Sequence, residues 1–334
     1  MAFDALIGNE DLRERLAKDV REGKLSHAYI IEGPAGCGKR TFAQQLCQAL
    51  ACTNRESGRV PCESCLACRK VAEGKCPDVI RIDRGNKASI GVDDVRFLRA
   101  DVLTPPNDLE SKIYIIEGAD TMTAQAQNAL LLTLEEPPSY VLFLLLCENA
   151  TAMLETIRSR APKLSLRPIP TDDVRAHLLA TERSYASLTE AEREEILMIA
   201  GGSIGRAKEL LDAKERKPLL ARRALASAFV EQQISGADSA KALSLMASFG
   251  SKREDILSLL GDVLTALRDL TLLKRSDIAP LCFYSDRAAA MSLCDVASMP
   301  RLLHLCERVE ECRRRLLRNA NVRLSLTSLF LTEG

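Results

Sequence analysis

Tryptophan is absent from this 334-residue sequence, and aromatic residues of every kind make up only 4% of it. A platform that stacks single-stranded bases needs exposed rings, so the composition argues against one. Nor is there an excess of positive charge: Lys plus Arg and Asp plus Glu balance at 46 each. Without that excess the chain is not drawn onto nucleic acid unaided, and any such contact must be local or shared. Histidine is scarce, and His27, His177 and His304 have no neighbouring partner set suited to general-base work. The longest strongly apolar run, "VLFLLLC" at 141–147, is far too short to span a bilayer, and "MAFDALIGNEDLRERLAKD" mixes acids and bases at the amino terminus. A cytoplasmic protein without signal peptide or membrane helix is the expectation. In that setting the twelve cysteines should be thiols, buried or metal-bound, rather than disulfides.

What is present is length enough for two or three domains, with 46% apolar residues spaced regularly among charges. Strand-length apolar runs occur at 28–33, 78–83, 112–118 and 141–147, with a fifth at 163–168. They are nearly continuous rather than alternating, as strands covered on both faces should be. Helix-length segments between them suit crossover connections. The expectation is an α/β domain with a mainly parallel sheet. Beyond "RPIPTDD" helical periodicity takes over, first in a short block ending near Leu211, then in a longer one from about Lys217.

The first strand runs into "GPAGCGKRTFAQQL". Gly33, Gly36 and Gly38 precede Lys39 and a helix, which is the strand, turn and helix context of a phosphate-binding loop. Glycines let backbone amides face phosphate oxygens, the helix start adds partial positive charge, and Lys39 would reach the terminal phosphates. The next residue should carry the hydroxyl that holds Mg²⁺, but Arg40 stands there. Thr41 follows one position later, and a helix turns about 100° per residue, so its oxygen should project away from the metal position; the alternative is that Thr41 or water substitutes, and Thr41 and Glu117 stand as candidate nucleotide-site residues. A second departure lies in "KIYIIEGAD", where a hydrolytic site ends its strand in Asp-Glu and this chain has Glu117-Gly118. Glycine cannot orient an attacking water. Two parts of the hydrolytic machinery are therefore altered, while the cradle leaves nucleotide binding open.

An insert between these motifs has its own chemistry. Cys52, Cys62, Cys65 and Cys68 follow the spacing C-x9-C-x2-C-x2-C, which suits a structural Zn²⁺ held by four thiolates. The alternative is a cluster of reduced or redox-active thiols. Cys76 lies close enough in sequence to compete for a place in the set. Cys47 reads as core, and Cys37, Cys147, Cys282, Cys294, Cys306 and Cys312 as small packing residues.

Taken together, "LIGNEDLRERL", "LSHAYIIEGPAGCGKRT", the four-cysteine insert, "KIYIIEGADTMTAQAQNALLLTLEEPP" and "TIRSRA" resemble the clamp-loader subunits of bacterial DNA polymerase III, the delta-prime type in particular. The likeness is strong over roughly the first 210 residues and extends more weakly to "LRNANVRLSLTSLFL". It implies an AAA+ α/β module over 1–168 with the zinc insert at about 52–76, a small helical lid over 169–212, and an all-α collar over 213–334. The implied partners are the gamma/tau and delta subunits and, through the complex, the sliding clamp and primed DNA. The implied role is a stator that helps place the clamp on DNA without efficient ATP hydrolysis of its own.

The resemblance also assigns residues. Ser159-Arg160 matches the start of the family's Ser-Arg-Cys motif, with Ala161 in place of the cysteine, and so makes Arg160 the arginine finger offered to a neighbour's γ-phosphate. Arg206 in "GGSIGRAKELL" takes the position of the lid arginine that reads bound nucleotide. Glu135 and Glu136, at a helix stopped by Pro137 and Pro138, read as solvated charges. Near the carboxyl end, Leu302, Leu303, Leu305, Val309, Leu316 and Leu317 fall on a helical pattern that suits either internal packing or a collar interface. Arg313, Arg314, Arg315 and Arg318 beside them read as a solvated face. Two other readings stand beside the stator: an active ATPase motor of the gamma/tau type, which Arg40 and Glu117-Gly118 oppose, and a zinc-stabilised scaffold with no nucleotide-site role, which Arg160 opposes.

Overall fold

A computed structural model of the chain describes residues 3, 6–54, 60–85, 87–236 and 239–331. Residues 55–59 of the cysteine insert thus lie outside the described part. The chain divides into two compact units, one made of 1–176 with 202–205, the other of 177–201 with 206–334.

In the first unit, α1 (Glu10–Glu22) leads into β1 (Ala28–Glu32), followed by α2 (Lys39–Ala51), α3 (Leu66–Ala72) and β2 (Val79–Ile82). Then come α4 (Val92–Asp101), β3 (Lys112–Glu117), α5 (Ala124–Glu135), β4 (Val141–Cys147), the short α6 (Glu155–Arg158) and β5 (Lys163–Ser165). The strands form one sheet in the order β2-β3-β4-β1-β5. Every pairing is parallel: Ile30 lies opposite Leu145, Ile115 opposite Leu144, and Ile31 opposite Leu164. All five strands fall on the runs expected from sequence. The glycine loop leaves the end of β1, which lies between β4 and β5 in the sheet.

Near-continuous hydrophobicity is explained by two cores, one on each face. Tyr29, Ile31, Ile113, Ile115, Leu142 and Leu144 face one side, where they pack with Leu16 of α1 and Phe42 and Leu46 of α2. Their neighbours Ile30, Tyr114, Ile116, Phe143 and Leu145 face the other, against Val95 and Leu98 of α4 and Leu130 and Leu134 of α5. Strand side chains alternate in direction, so a sheet covered twice requires apolar residues at successive positions. Truncating one of these, Leu144→Ala for example, should cost about 2–5 kcal/mol. A fully buried carboxylate, Asp78, fixes the turn before β3 by accepting N–H bonds from Asn107, Asp108 and Leu109 at 2.8, 2.6 and 2.8 Å.

The remaining helices are α7 (Thr171–Thr181), α8 (Arg183–Ala186), α9 (Glu190–Ala200), α10 (Ile204–Glu209), α11 (Ala213–Ser235), α12 (Ser239–Ser248), α13 (Arg253–Leu273), α14 (Arg287–Val296), α15 (Met299–Leu317) and α16 (Val322–Leu331). In the second unit, α11, α13, α15 and α16 enclose a core containing Phe229, Phe249, Val263, Leu267, Leu302, Val309 and Phe330. Phe229, Phe249 and Phe330 meet edge to face with ring centroids 4.9–5.8 Å apart. The expected stripe on α15 packs internally through Leu302, Leu305, Val309 and Leu316. Leu303 and Leu317 lie outside it, exposed, because each sits one residue beyond a buried leucine and is turned off the core-facing side. Sequence gave no signal for Asp269, which is fully buried on α13 and accepts N–H bonds from Cys282 and Phe283 at 2.8 and 2.7 Å.

Candidate functional site

The site begins where β1 ends. Gly33 has no room for a side chain: a Cβ there would meet the Cys37 sulfur at 2.7 Å and the Leu166 carbonyl at 2.9 Å. The Lys39 ammonium donates to the carbonyls of Gly33 and Pro34 at 2.6 and 2.8 Å, closing the loop on itself. Gly38 precedes α2 and Phe42 donates its N–H to the Gly38 carbonyl at 2.8 Å, so the helix starts at the loop. Ser203 donates its hydroxyl to the carbonyl of Gly36 at 2.9 Å.

The two departures from a hydrolytic site turn out to be one contact. Arg40 Nε lies 2.5 Å from Glu117 Oε2, and Arg81 of β2 approaches the other carboxylate oxygen at 3.3 Å. Arg81 also reaches Gln44 Oε1 at 3.5 Å. The Glu117 side chain is only 11% exposed whereas that of Arg40 is 75% exposed. A carboxylate so far removed from water requires paired positive charge, and the two guanidinium groups supply it. Hence Glu117, a candidate for the nucleotide-site acid, is already engaged by the residue standing where the metal-binding hydroxyl would be. Thr41 is exposed beside it. Gly118 adopts φ 70° and ψ 42° before the short turn at 119–121, a left-handed conformation that disfavours a glutamate there.

The ends of the neighbouring strands are tied by carboxylates that sequence reading did not single out. Glu32 accepts from the Ala150 N–H at 2.8 Å and from Lys163 at 2.9 Å. The Lys163 bond first, then the Ala150 N–H, holds the Glu32 carboxyl below its ordinary range. Asp120 accepts the N–H groups of Glu148 and Asn149 at 3.0 and 3.1 Å. The signal available in sequence was only their position at strand ends.

Arg160 follows α6. Its guanidinium pairs with Glu135 at 2.8 Å and donates to the Thr156 carbonyl at 2.9 Å. Glu135 is therefore an ion-pair partner rather than an isolated solvated charge. Ala161 beside it is buried, filling the core under the segment. Arg206 belongs to the second unit, where it pairs with Glu209 at 2.7 Å.

The sulfur atoms of Cys52, Cys62, Cys65 and Cys68 all lie within 4.8 Å of one another. Tetrahedral Zn²⁺ with thiolates at about 2.3 Å needs sulfurs about 3.8 Å apart, so the group fits the ion with a small contraction. The Cys65 N–H donates to the Cys62 sulfur and the Cys68 N–H to the Cys65 sulfur, both at 3.4 Å. These bonds favour thiolates. Burial pushes the Cys65 thiol up, but the N–H of Cys68 and contacts from Thr53 prevail and bring it down to about 6. Cys62 is lowered chiefly by the Cys65 N–H, whereas burial raises Cys68. Cys76 is not in this group; it is buried in the core beside α2 and the sheet. Four sulfurs would close the shell of such an ion, which would brace the insert and leave no position for substrate.

A family model described as DNA polymerase III, delta subunit, matches residues 8–170. The match covers just under half of the chain, so it is this part, residues 8–170, that is similar to that family. The tau subunit of Bacillus subtilis DNA polymerase III is 31% identical to this chain over 211 residues, 63% of this chain and 37% of that protein. The gamma subunit of Buchnera aphidicola is 28% identical over 214 residues, 63% of this chain and 58% of its own length. The chain spans about a third of the length of the tau and gamma/tau relatives it matches first. Among solved structures, a gamma subunit-related protein of Thermotoga maritima superposes with a TM-score of 0.43 at 18% identity, covering 91% of this chain and 99% of that one. Among the described residues no helix is long and apolar enough to cross a membrane.

Proposed function

We propose that this chain is a clamp-loader subunit of the delta-prime type: a stator that helps load the sliding clamp onto primed DNA and lends Arg160 to the nucleotide of an adjacent gamma/tau subunit. The observation that carries the reading is the ion pair between Arg40 and Glu117. An active site needs a hydroxyl at the first position to hold Mg²⁺ and an acid free to act near the second. Here a cation and an anion neutralise each other instead, and Gly118 offers no water-orienting group. The loop of Gly33, Gly36, Gly38 and Lys39 retains a cradle for phosphate, and Arg206 holds the sequence position of a nucleotide-reading lid arginine. Cys52, Cys62, Cys65 and Cys68 hold a structural Zn²⁺. The chain divides into an AAA+ module over 1–168, a lid over 169–212 and a collar over 213–334, the last serving assembly with gamma/tau and delta subunits.

A motor of the gamma/tau type is the second reading, favoured by the gamma and tau relatives at about 30% identity. ATPase assay of the chain alone, then mixed with gamma/tau and delta subunits with and without Arg160→Ala, separates the two. The stator gives no turnover alone, and removing Arg160 lowers the stimulated turnover of the complex only in part, because other sites keep their own arginines. A motor turns over alone and stops on Lys39→Ala. An assembled complex indifferent to Arg160→Ala leaves a zinc-stabilised scaffold.

A further inference from the structure

We infer that the loop takes up a nucleoside polyphosphate without a divalent cation, Arg40 supplying the positive charge that the cation supplies elsewhere. The inference rests on reading the loop as a nucleotide cradle, and concerns how that cradle is charged. In a hydrolytic loop, Mg²⁺ neutralises the outer phosphates and is steered by an acid at the end of the third strand. The residues here do not fit that ion: the hydroxyl is absent, and the acid, Glu117, has both oxygens engaged by Arg40 and Arg81.

The same residues fit an anion that arrives bare. Arg40 and Arg81 bring two guanidinium groups against the single carboxylate of Glu117, so this trio keeps a net positive charge after its internal pairing. Arg40 is bound to Glu117 through Nε. A guanidinium carries further N–H donors on its two terminal nitrogens, and planar donors of this kind match phosphate oxygens. Its side chain is largely exposed in the first turn of α2, directly after Lys39 in the chain, so the free edge is open to solvent. Glu117 thereby acts as a positioning residue: it orients Arg40 rather than a metal. Since magnesium polyphosphate carries less negative charge than the free form, the cation offers no gain to a cluster of this sign.

Binding of a fluorescent ATP derivative to the full chain, measured by anisotropy in EDTA and in excess Mg²⁺, tests the inference. ATP and inorganic tripolyphosphate are used as competitors to distinguish nucleoside recognition from recognition of phosphate alone. The wild-type chain should bind equally well or better in EDTA. Arg40→Ala should weaken binding in EDTA about tenfold, the scale of one charge-assisted hydrogen bond. Arg40→Thr, which returns the hydroxyl, should make residual binding depend on Mg²⁺. Competition by ATP but not by tripolyphosphate identifies a nucleoside ligand, and equal competition overturns that part. Wild-type binding that requires Mg²⁺, or Arg40→Ala binding as tightly as wild type, overturns the inference and leaves the cradle standing. No binding in either buffer by a chain whose thermal melt is normal overturns both.

Discussion

The Arg160 guanidinium lies 2.8 Å from the Glu135 carboxylate, so the residue proposed to serve a neighbour's phosphate already has an acid of its own. Both side chains are partly exposed, and an ion pair of that kind is worth about 0–1 kcal/mol. The pair is therefore a weak hold. Arg160→Ala should remove the finger's effect, roughly a thousandfold at the one site it serves, though total turnover of a complex with several sites falls less. Glu135→Gln should change stimulated ATPase by no more than about fivefold, the scale of the surface pair. Arg158→Ala is the neighbouring control and should be milder than Arg160→Ala in assembled complexes.

The isolated chain should show no ATP turnover above background. Restoring Thr at position 40 together with Gly118→Glu should not create it, because residue 118 is held at φ 70°. Forcing a glutamate into that conformation should cost about 1 kcal/mol or more, read as a lower melting temperature. Turnover in the double variant would show that the strand end accommodates a catalytic acid.

Purified protein prepared without added metal should contain one Zn²⁺ per chain. Cys65→Ser should release it, whereas Cys76→Ser should retain it and lose about 1–3 kcal/mol of stability from a hydroxyl placed in an apolar core. Thermal melts fall for both variants, and metal analysis separates them: Cys65→Ser loses the ion and Cys76→Ser keeps it. The reverse pattern would assign Cys76 to the metal.

Glu32 predicts a pH dependence. Bonds from Lys163 and the Ala150 N–H depress its folded pKa below the ordinary value of 4.5. Stability from this group is therefore complete above the unfolded value and is lost as pH falls through the folded one. Glu32→Gln should lower the melting temperature at pH 7, and the gap to wild type should close as pH falls through the depressed folded value. A gap that widens in acid would reverse the assignment.

The five strands were legible because a sheet packed on both faces forces apolar residues at consecutive positions, and four cysteines at close spacing announce a shared ligand. The link between Arg40 and Glu117 was not. In sequence they are two separate departures from a motif; in the fold, the β3-β4-β1 order brings the end of β3 alongside the loop after β1. Arg81, on a third strand, had no motif to mark it. The same limit hid Glu135, since the turn after α6 that carries Arg160 back to α5 has no local signature. On α15, a period of 3.6 includes Leu302 and Leu316 but cannot by itself say that adjacent Leu303 and Leu317 fall outside the buried arc.

The salt bridge at the loop also constrains descent. For this cluster to support hydrolysis, exchanging Arg40 for Thr would not suffice even if the new hydroxyl held Mg²⁺, because Glu117 would lose its nearest counter-charge while still engaged by Arg81. Changing Glu117 first would leave Arg40 and Arg81 facing each other beside Lys39. Each single step meets an electrostatic penalty before any gain, and Gly118 adds a backbone step that no side-chain exchange removes. The arrangement behaves as a ratchet: with the two charges paired, hydrolysis at this loop would require several substitutions together.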